Sequence, residues 1–383
     1  MKPANLPPPP PEALASSAKL EQIIYQEIQE SDNWLPFSQF MEMVLYTPQY
    51  GYYTGGAWKI GAAGDFVTAP AISPLFAHTL GRQLGELLPG TAGNIYEFGA
   101  GGGELAADLL DSLAGGLNTY YIIELSAGLA ERQKQFITRA NPQAAAKVRW
   151  LDRLPARFDG IIIGNEVLDA IPCELVSRSG GGFQRMGVAV ENGRFAQTPR
   201  PLEQPELIRL AAAYFPDTSP YTSELHPRQY AFARTLAQRL ERGALILIDY
   251  GFDAAQYYHP QRHMGTLIGH YRHHTVHDPF FHIGLTDLTS HVNFTDIAQA
   301  ATDAGLDLIG YTAQADFLLN LGITELLEQT APCGTPAYLK AASDVNKLIA
   351  PHEMGELFKV IAFGRDIGID WRGFTHGDIC HKL

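Results

Sequence analysis

A chain of 383 residues, 46% hydrophobic and 18% charged, has the balance of a globular protein that buries a large core in one elaborated domain or two. Its formal net charge of −13, with no lysine/arginine run, argues against a nucleic-acid binder and favours a basic partner if there is one. Three scattered cysteines without C-x-x-C spacing exclude a disulfide scaffold and a cysteine zinc cluster.

Residues 1–19 open with the proline run Pro7 to Pro11 and read as a disordered leader. Helical spacing at Leu20, Ile24 and Ile28 and the apolar stretch Phe37 to Tyr46 predict a helical N-terminal cap over 20–90. Strands then alternate with helices. Asn94 to Phe98, Tyr120 to Leu125, Val148 to Leu151, Gly160 to Gly164 and Ala244 to Tyr250 read as strands, with helices over Leu105 to Leu113 and Gly128 to Arg139. That alternation predicts an α/β, Rossmann-like parallel sheet formed by 91–170 and 243–383. Between them, 171–242 changes character. Alternation at Glu174 to Arg178 and Gln184 to Val190, with the turn Glu191-Asn192-Gly193, predicts an inserted β-ribbon and helical subdomain that binds substrate. No stretch reaches the roughly 18–20 apolar residues of a membrane helix. No signal or transit pattern is present, so a cytoplasmic protein without membrane insertion is expected.

The strongest local signal is Glu97-Phe98-Gly99-Ala100-Gly101-Gly102-Gly103-Glu104-Leu105. Glycines closing a strand let the chain turn tightly, bring backbone N–H groups to a ligand and aim a helix N-terminus at it. Gly101-x-Gly103-x-x-Ala106 also fits a relaxed nicotinamide fingerprint. Glu97, two residues before Gly99, favours S-adenosylmethionine, whose amino-acid end is positive; a pyrophosphate would be repelled there. Glu124, ending the second strand, is placed to accept hydrogen bonds from ribose hydroxyls of either cofactor, or to cap the helix near Ser126. Asp152 after the third strand is a candidate for the adenine amine, with a turn aspartate as the alternative.

The fourth strand runs into Gly164-Asn165-Glu166-Val167-Leu168-Asp169-Ala170-Ile171-Pro172. Open α/β sheets bind ligands at this carboxyl edge. A helical turn here would put Glu166 and Asp169 on one face, as two carboxylates able to clamp a guanidinium, with Asn165 beside them. The alternative is that Asp169 stabilises the turn before Pro172 while Asn165 holds the loop. Asn165, Glu166 and Asp169 are the candidate catalytic residues for methyl transfer to a guanidinium.

Several further motifs occur in order. They are Tyr50-Gly51-Tyr52-Tyr53, Gly64-Asp65-Phe66-x-Thr68-Ala69, Ser73-x-Leu75-Phe76, the glycine turn, and Tyr121-x-x-Glu124-x-Ser126-x-x-Leu129 with Gln133. After Asn165-Glu166-x-Leu168-Asp169-Ala170-x-Pro172 come Asp249-Tyr250-Gly251, Gly265-Thr266-Leu267, Asp287-Leu288-Thr289-x-His291-Val292-x-Phe294 and Met354-Gly355-Glu356-x-Phe358-Lys359-Val360. From Phe37 to Phe363 the chain closely resembles the MidA-like family of S-adenosylmethionine-dependent methyltransferases, which includes a mitochondrial complex I assembly factor. The resemblance implies a class I methyltransferase fold. For the mitochondrial members it implies symmetric dimethylation of an arginine on a complex I core subunit. It adds Asp65 and Thr68 as cofactor-pocket candidates, with a structural turn as the alternative, and puts His291 near the acceptor, with a structural histidine as the alternative. One departure is Ile283-Gly284-Leu285, where the family usually has Pro-Gly.

His270, His273, His274 and His277 lie in a loop-like segment without a converging carboxylate set, so no metal is expected. Two rival readings stay open: an assembly factor that keeps the pocket without turnover, and a nicotinamide-dependent oxidoreductase. A homodimer is open as an alternative to a monomer.

Overall fold

The computed structural model describes residues 6–55, 68–113 and 115–383, in two compact units. One unit comprises Val67–Leu168, Ala231–Gly251 and Phe294–Leu383. Its sheet is built from β1 (Asn94–Phe98), β2 (Thr119–Ile123), β3 (Val148–Leu151), β4 (Phe158–Asn165), β5 (Leu240–Phe252), β6 (Asp307–Ala313) and β7 (Phe358–Arg365). Helix α1 (Glu104–Ser112) joins β1 to β2, and α2 (Ala127–Ala140) leads from β2 towards β3.

The strands lie in the order β6-β7-β5-β4-β1-β2-β3. Neighbours from β3 through β5 are parallel, whereas β7 is antiparallel to both β5 and β6. Chain order reverses between β1 and β4, so the carboxyl ends of these two strands flank the place where a doubly wound sheet binds ligands. β1, β4 and β5 read as nearly unbroken apolar runs because helices cover both faces of such a sheet. The C-terminal tail covers the edge strand β6: Ile379 N–H donates to Tyr311 O (2.7 Å), and Asp378 Oδ1 accepts from Tyr311 N–H (2.9 Å). Pairing of this kind removes an exposed strand edge.

The other unit takes in the described part of the N-terminal 66 residues, with Asp169–Tyr230 and Phe252–Asn293. Strand Gly182–Glu191 pairs with Glu174–Ser179, Leu35–Pro36 and Arg194–Pro201, and Glu174–Ser179 also pairs with Tyr221–Leu225. Asn192 (φ 50°) and Gly193 (φ 73°) make the two-residue turn of the hairpin, as the Asn-Gly pair predicts. Leu20, Ile24 and Ile28 form a buried stripe on helix Pro11–Glu30 and pack with Phe37, Phe40, Val188 and Leu288. Within this core Arg185 forks onto Glu174, Nε to Oε2 at 2.8 Å and Nη2 to Oε1 at 2.6 Å, and Ser38 donates to Oε1 at 2.7 Å.

This organisation departs from the sequence reading in two ways. The expected disordered leader over 1–19 is a helix from Pro11 onward. Proline suits a first helical position, where its missing N–H costs nothing. Ahead of it, Pro7 O accepts from the Tyr271 hydroxyl (2.9 Å), and Leu6 and Ala13 pack on Tyr271, Val276 and Leu285. The division of the chain also differs. Helix Pro74–Leu87, read as part of the cap, belongs with the parallel sheet, and Phe252–Asn293 belongs with the strands of 171–242. Periodicity identifies an element but does not say which distant segment it packs against.

Candidate functional site

β1 is buried throughout its last four residues, and Glu97 is its one carboxyl side chain, 2% exposed. The Tyr120 hydroxyl donates to Glu97 Oε2 at 2.8 Å. Burial pushes the Glu97 carboxyl up to about 8, with Glu104 and Glu124 adding to the rise and the Tyr120 hydrogen bond opposing it.

Beyond Phe98 the chain turns through Gly99 (φ 62°), Gly101 (φ 54°) and Gly103 (φ 96°) into α1. These are left-handed conformations that side-chain-bearing residues resist. A Cβ at Gly99 would lie 3.2 Å from Val167 Cγ2, and one at Gly103 3.3 Å from Ile137 Cγ1. At Gly101 it would meet nothing within 4 Å. At Gly99 and Gly103 a side chain would therefore press on a neighbour, while Gly101 faces open space that a side chain would fill.

Glu124 follows β2, and its N–H donates to Leu151 O at 3.0 Å, so the carboxyl ends of β2 and β3 are aligned. Its Oε1 accepts from Ser126 N–H (2.8 Å) and its Oε2 from Gln133 Nε2 (3.0 Å). Burial raises the Glu124 carboxyl, and the Ser126 and Gln133 hydrogen bonds work against the rise. The helix-start role foreseen as an alternative is shared with Ser126, whose Oγ accepts from Leu129 N–H. Leu125, next in the chain, is 77% exposed. The sequence reading missed this residue; a large apolar side chain directly after the acid was the available signal. Asp152 is exposed just past β3.

At the end of β4, Asn165 Nδ2 donates to Glu166 Oε1 (3.0 Å), while Asn165 Oδ1 is buried and accepts no hydrogen bond from the described residues. Glu166 has φ 54°, and its N–H donates to Ile248 O at 2.9 Å. The helical turn considered for 166–169 is absent: the left-handed backbone at Glu166 breaks it, so Glu166 and Asp169 do not share a helical face. The boundary between the two units also falls between Leu168 and Asp169. Asp169 is buried in the unit that contains the N-terminal helix, where its carbonyl accepts from Ser290 N–H at 3.1 Å.

The segment after Glu166 is held from β5. Asp249, 1% exposed, accepts from the N–H groups of Val167 (3.1 Å) and Leu168 (2.9 Å) through Oδ2 and from Tyr250 N–H (2.9 Å) through Oδ1. Asp249 appeared in the sequence only as part of an Asp-Tyr-Gly motif, and its partners lie about eighty residues away in the chain.

Asp65 lies outside the described residues. Thr68 precedes the short helix Ala69–Ile72, and its carbonyl accepts from Ala71 and Ile72 N–H groups. In the other unit the His291 ring stacks on Phe252 (5.2 Å, 10°), and the His291 backbone N–H donates to Thr266 Oγ1. Thr266 and Leu267 N–H groups in turn donate to the fully buried Glu224, which also accepts from the Tyr257 hydroxyl at 2.9 Å. His270 and His274 sit on an antiparallel strand pair. Among the described residues no group of three or more His, Cys, Asp or Glu side chains is arranged to hold a metal ion, and no helix is long and apolar enough to cross a membrane.

The sequence profile of a family described as S-adenosyl-L-methionine-dependent methyltransferase matches residues 77–312. A protein arginine methyltransferase NDUFAF7 from Danio rerio, named as mitochondrial, is 26% identical over 364 residues, covering 84% of this chain and 81% of that protein. The Drosophila melanogaster homologue, also named as mitochondrial, is 27% identical over 372 residues, covering 86% and 81%. A crystal structure of a Burkholderia thailandensis protein bound to S-adenosyl-homocysteine superposes with a TM-score of 0.95. It is 46% identical and covers 99% of this chain and all of that one. The mitochondrial names of the relatives contradict the cytoplasmic location expected from the sequence. That expectation rested on the composition of the N-terminus, which is no measure of compartment. The nicotinamide alternative falls as well, because the glycine spacing it relied on is shared by both kinds of nucleotide fold. The chain belongs to the MidA-like family of S-adenosylmethionine-dependent methyltransferases, enzymes of the class I α/β fold, and its cofactor is S-adenosylmethionine.

Proposed function

We propose that this enzyme methylates arginine on a protein, with the cofactor held at Glu97, Gly99, Gly101, Gly103 and Glu124 and the acceptor received at Asn165 and Glu166. The glycine turn fits the cofactor because Gly101 leaves open space where a Cβ would project. Among the described residues Asn165 Oδ1 is a buried acceptor without a donor, suited to an N–H group of the methyl acceptor. Glu97 would balance the positive amino-acid end, Glu124 the ribose hydroxyls, and Leu125 and Asp152 the adenine. Thr68, ahead of the short helix Ala69–Ile72, would complete the pocket from the preceding chain.

The observation that carries the acceptor assignment is the Asn165–Glu166 pair at the carboxyl end of β4, with Glu166 held in a left-handed conformation. Such backbone costs roughly 1 kcal/mol or more for a residue other than glycine, and it clusters at functional sites. A guanidinium is cationic and its lone pair is delocalised, so it must be oriented and desolvated before it reacts. Glu166 does this by charge-assisted hydrogen bonds, and Asn165 fixes the rotamer of Glu166 through Oε1. The bound cofactor supplies an electrophilic methyl group on a sulfonium sulfur. The methylated guanidinium would shed a proton, and Glu166 would accept it as the base. The protein-arginine names of the relatives support the acceptor class, and the family resemblance points to a respiratory complex I core subunit.

The test is Glu166→Gln, read by transfer of a labelled methyl group to protein and by calorimetric titration with the cofactor. Turnover is expected to fall by about 100-fold or more, with cofactor affinity within about twofold of the parent. Unchanged transfer, or label recovered on a residue other than arginine by mass spectrometry, refutes the assignment.

A further inference from the structure

Helix α2 buries Leu129, Gln133 and Ile137, a stripe spaced every four residues in which Gln133 is the one polar member. A buried primary amide in an apolar stripe costs stability unless its donors and acceptor are paired. Gln133 is fully buried, and its side-chain hydrogen bonds reach three different segments of the sheet edge. Nε2 donates to Gly101 O (3.0 Å) in the turn after β1 and to Glu124 Oε2 (3.0 Å) after β2. Oε1 accepts from Trp150 Nε1 (3.0 Å) on β3. The Trp150 bond decides which end of the amide is oxygen, and so directs both N–H groups towards the turn and the acid. A Cβ at Gly103 would stand 3.5 Å from Gln133 Cα, so the helix and the turn are packed together at this point.

We propose that Gln133 is the positioning residue for ribose recognition: it couples the glycine turn to Glu124 and holds that carboxylate ready to accept the vicinal hydroxyls of the cofactor. A carboxylate has about four acceptor positions. The bonds from Ser126 N–H and Gln133 Nε2 engage each oxygen once and stop the carboxylate from rotating. An apolar residue of the same size would fill the stripe at least as well, so packing does not explain an amide here. Its three directed bonds do. This inference rests on the assignment of Glu124 to the ribose.

The experiment measures the affinities of the full-length protein for S-adenosylhomocysteine and for its 2′-deoxy analogue by calorimetry. The parent is expected to prefer the ribose form by about tenfold or more, the worth of a hydrogen bond to a charged group. Gln133→Leu is expected to reduce that preference to within about threefold. A role confined to packing would weaken both ligands by one factor and leave the preference intact, which overturns the proposal. A parent protein that binds both forms equally removes the Glu124 assignment instead, and this proposal with it. Should Gln133→Leu fail to fold, Trp150→Phe reads the same ratio. It leaves the amide in place but frees its orientation, so a reduced preference supports the proposal and an unchanged one refutes it.

Discussion

The Tyr120 hydroxyl and the Glu97 carboxylate meet at 2.8 Å between adjacent strands of the parallel sheet. Burial raises the Glu97 carboxyl to about 8, against an ordinary value of 4.5. The folded protein therefore keeps a proton that the unfolded chain releases above about pH 4.5. Stability from this group is lost as pH climbs from there through about 8. Without ligand, Glu97→Gln should lose less stability than the parent between pH 6 and pH 9. The difference is expected to be on the order of 2 kcal/mol, given about 1.4 kcal/mol per pKa unit. Urea denaturation at the two pH values measures it, and parallel losses in the two proteins would disprove it.

Gly101 and Gly103 should respond differently to alanine. Both have positive φ, so each substitution carries a backbone cost of about 1 kcal/mol. At Gly103 the new methyl group also meets Ile137 at 3.3 Å, whereas at Gly101 it meets open space. Thermal unfolding of the unliganded proteins should thus place Gly103→Ala below Gly101→Ala. Titration with S-adenosylmethionine should show that Gly101→Ala, although the more stable variant, loses affinity by about tenfold or more because its methyl group occupies the open space. Retained affinity in Gly101→Ala would move the cofactor away from this turn.

Asp249 holds the Glu166 segment by receiving the N–H groups of Val167 and Leu168. Asparagine at this position keeps the size but loses the charge and puts an amide donor against a backbone donor. Asp249→Asn is expected to destabilise the protein by roughly 2–3 kcal/mol, the cost of unsatisfied buried donors, and to slow methyl transfer because Glu166 is no longer fixed. Chemical denaturation and turnover are to be measured together. A stable variant with full turnover would show that the loop needs no support from β5.

Local rules were sufficient for the glycine turn, the Asn192-Gly193 hairpin, the buried stripe of Leu20, Ile24 and Ile28 and the runs that became β1, β4 and β5. Each depends on the conformational limits of a few adjacent residues or on the burial period of one element, and both are written in the chain. Tertiary structure decided the rest. Gln133 looks like one more polar residue on a helix until the strands bring Gly101, Glu124 and Trp150 around it. Glu224 gives no local sign that its partners are Thr266 and Leu267. Glu166 takes a left-handed conformation where the spacing to Asp169 suggested a helical turn, in a segment whose N–H groups are bound by Ile248 and Asp249 rather than by the turn itself. Backbone groups buried in a protein must find partners, and where these lie far along the chain only the folded arrangement reveals them.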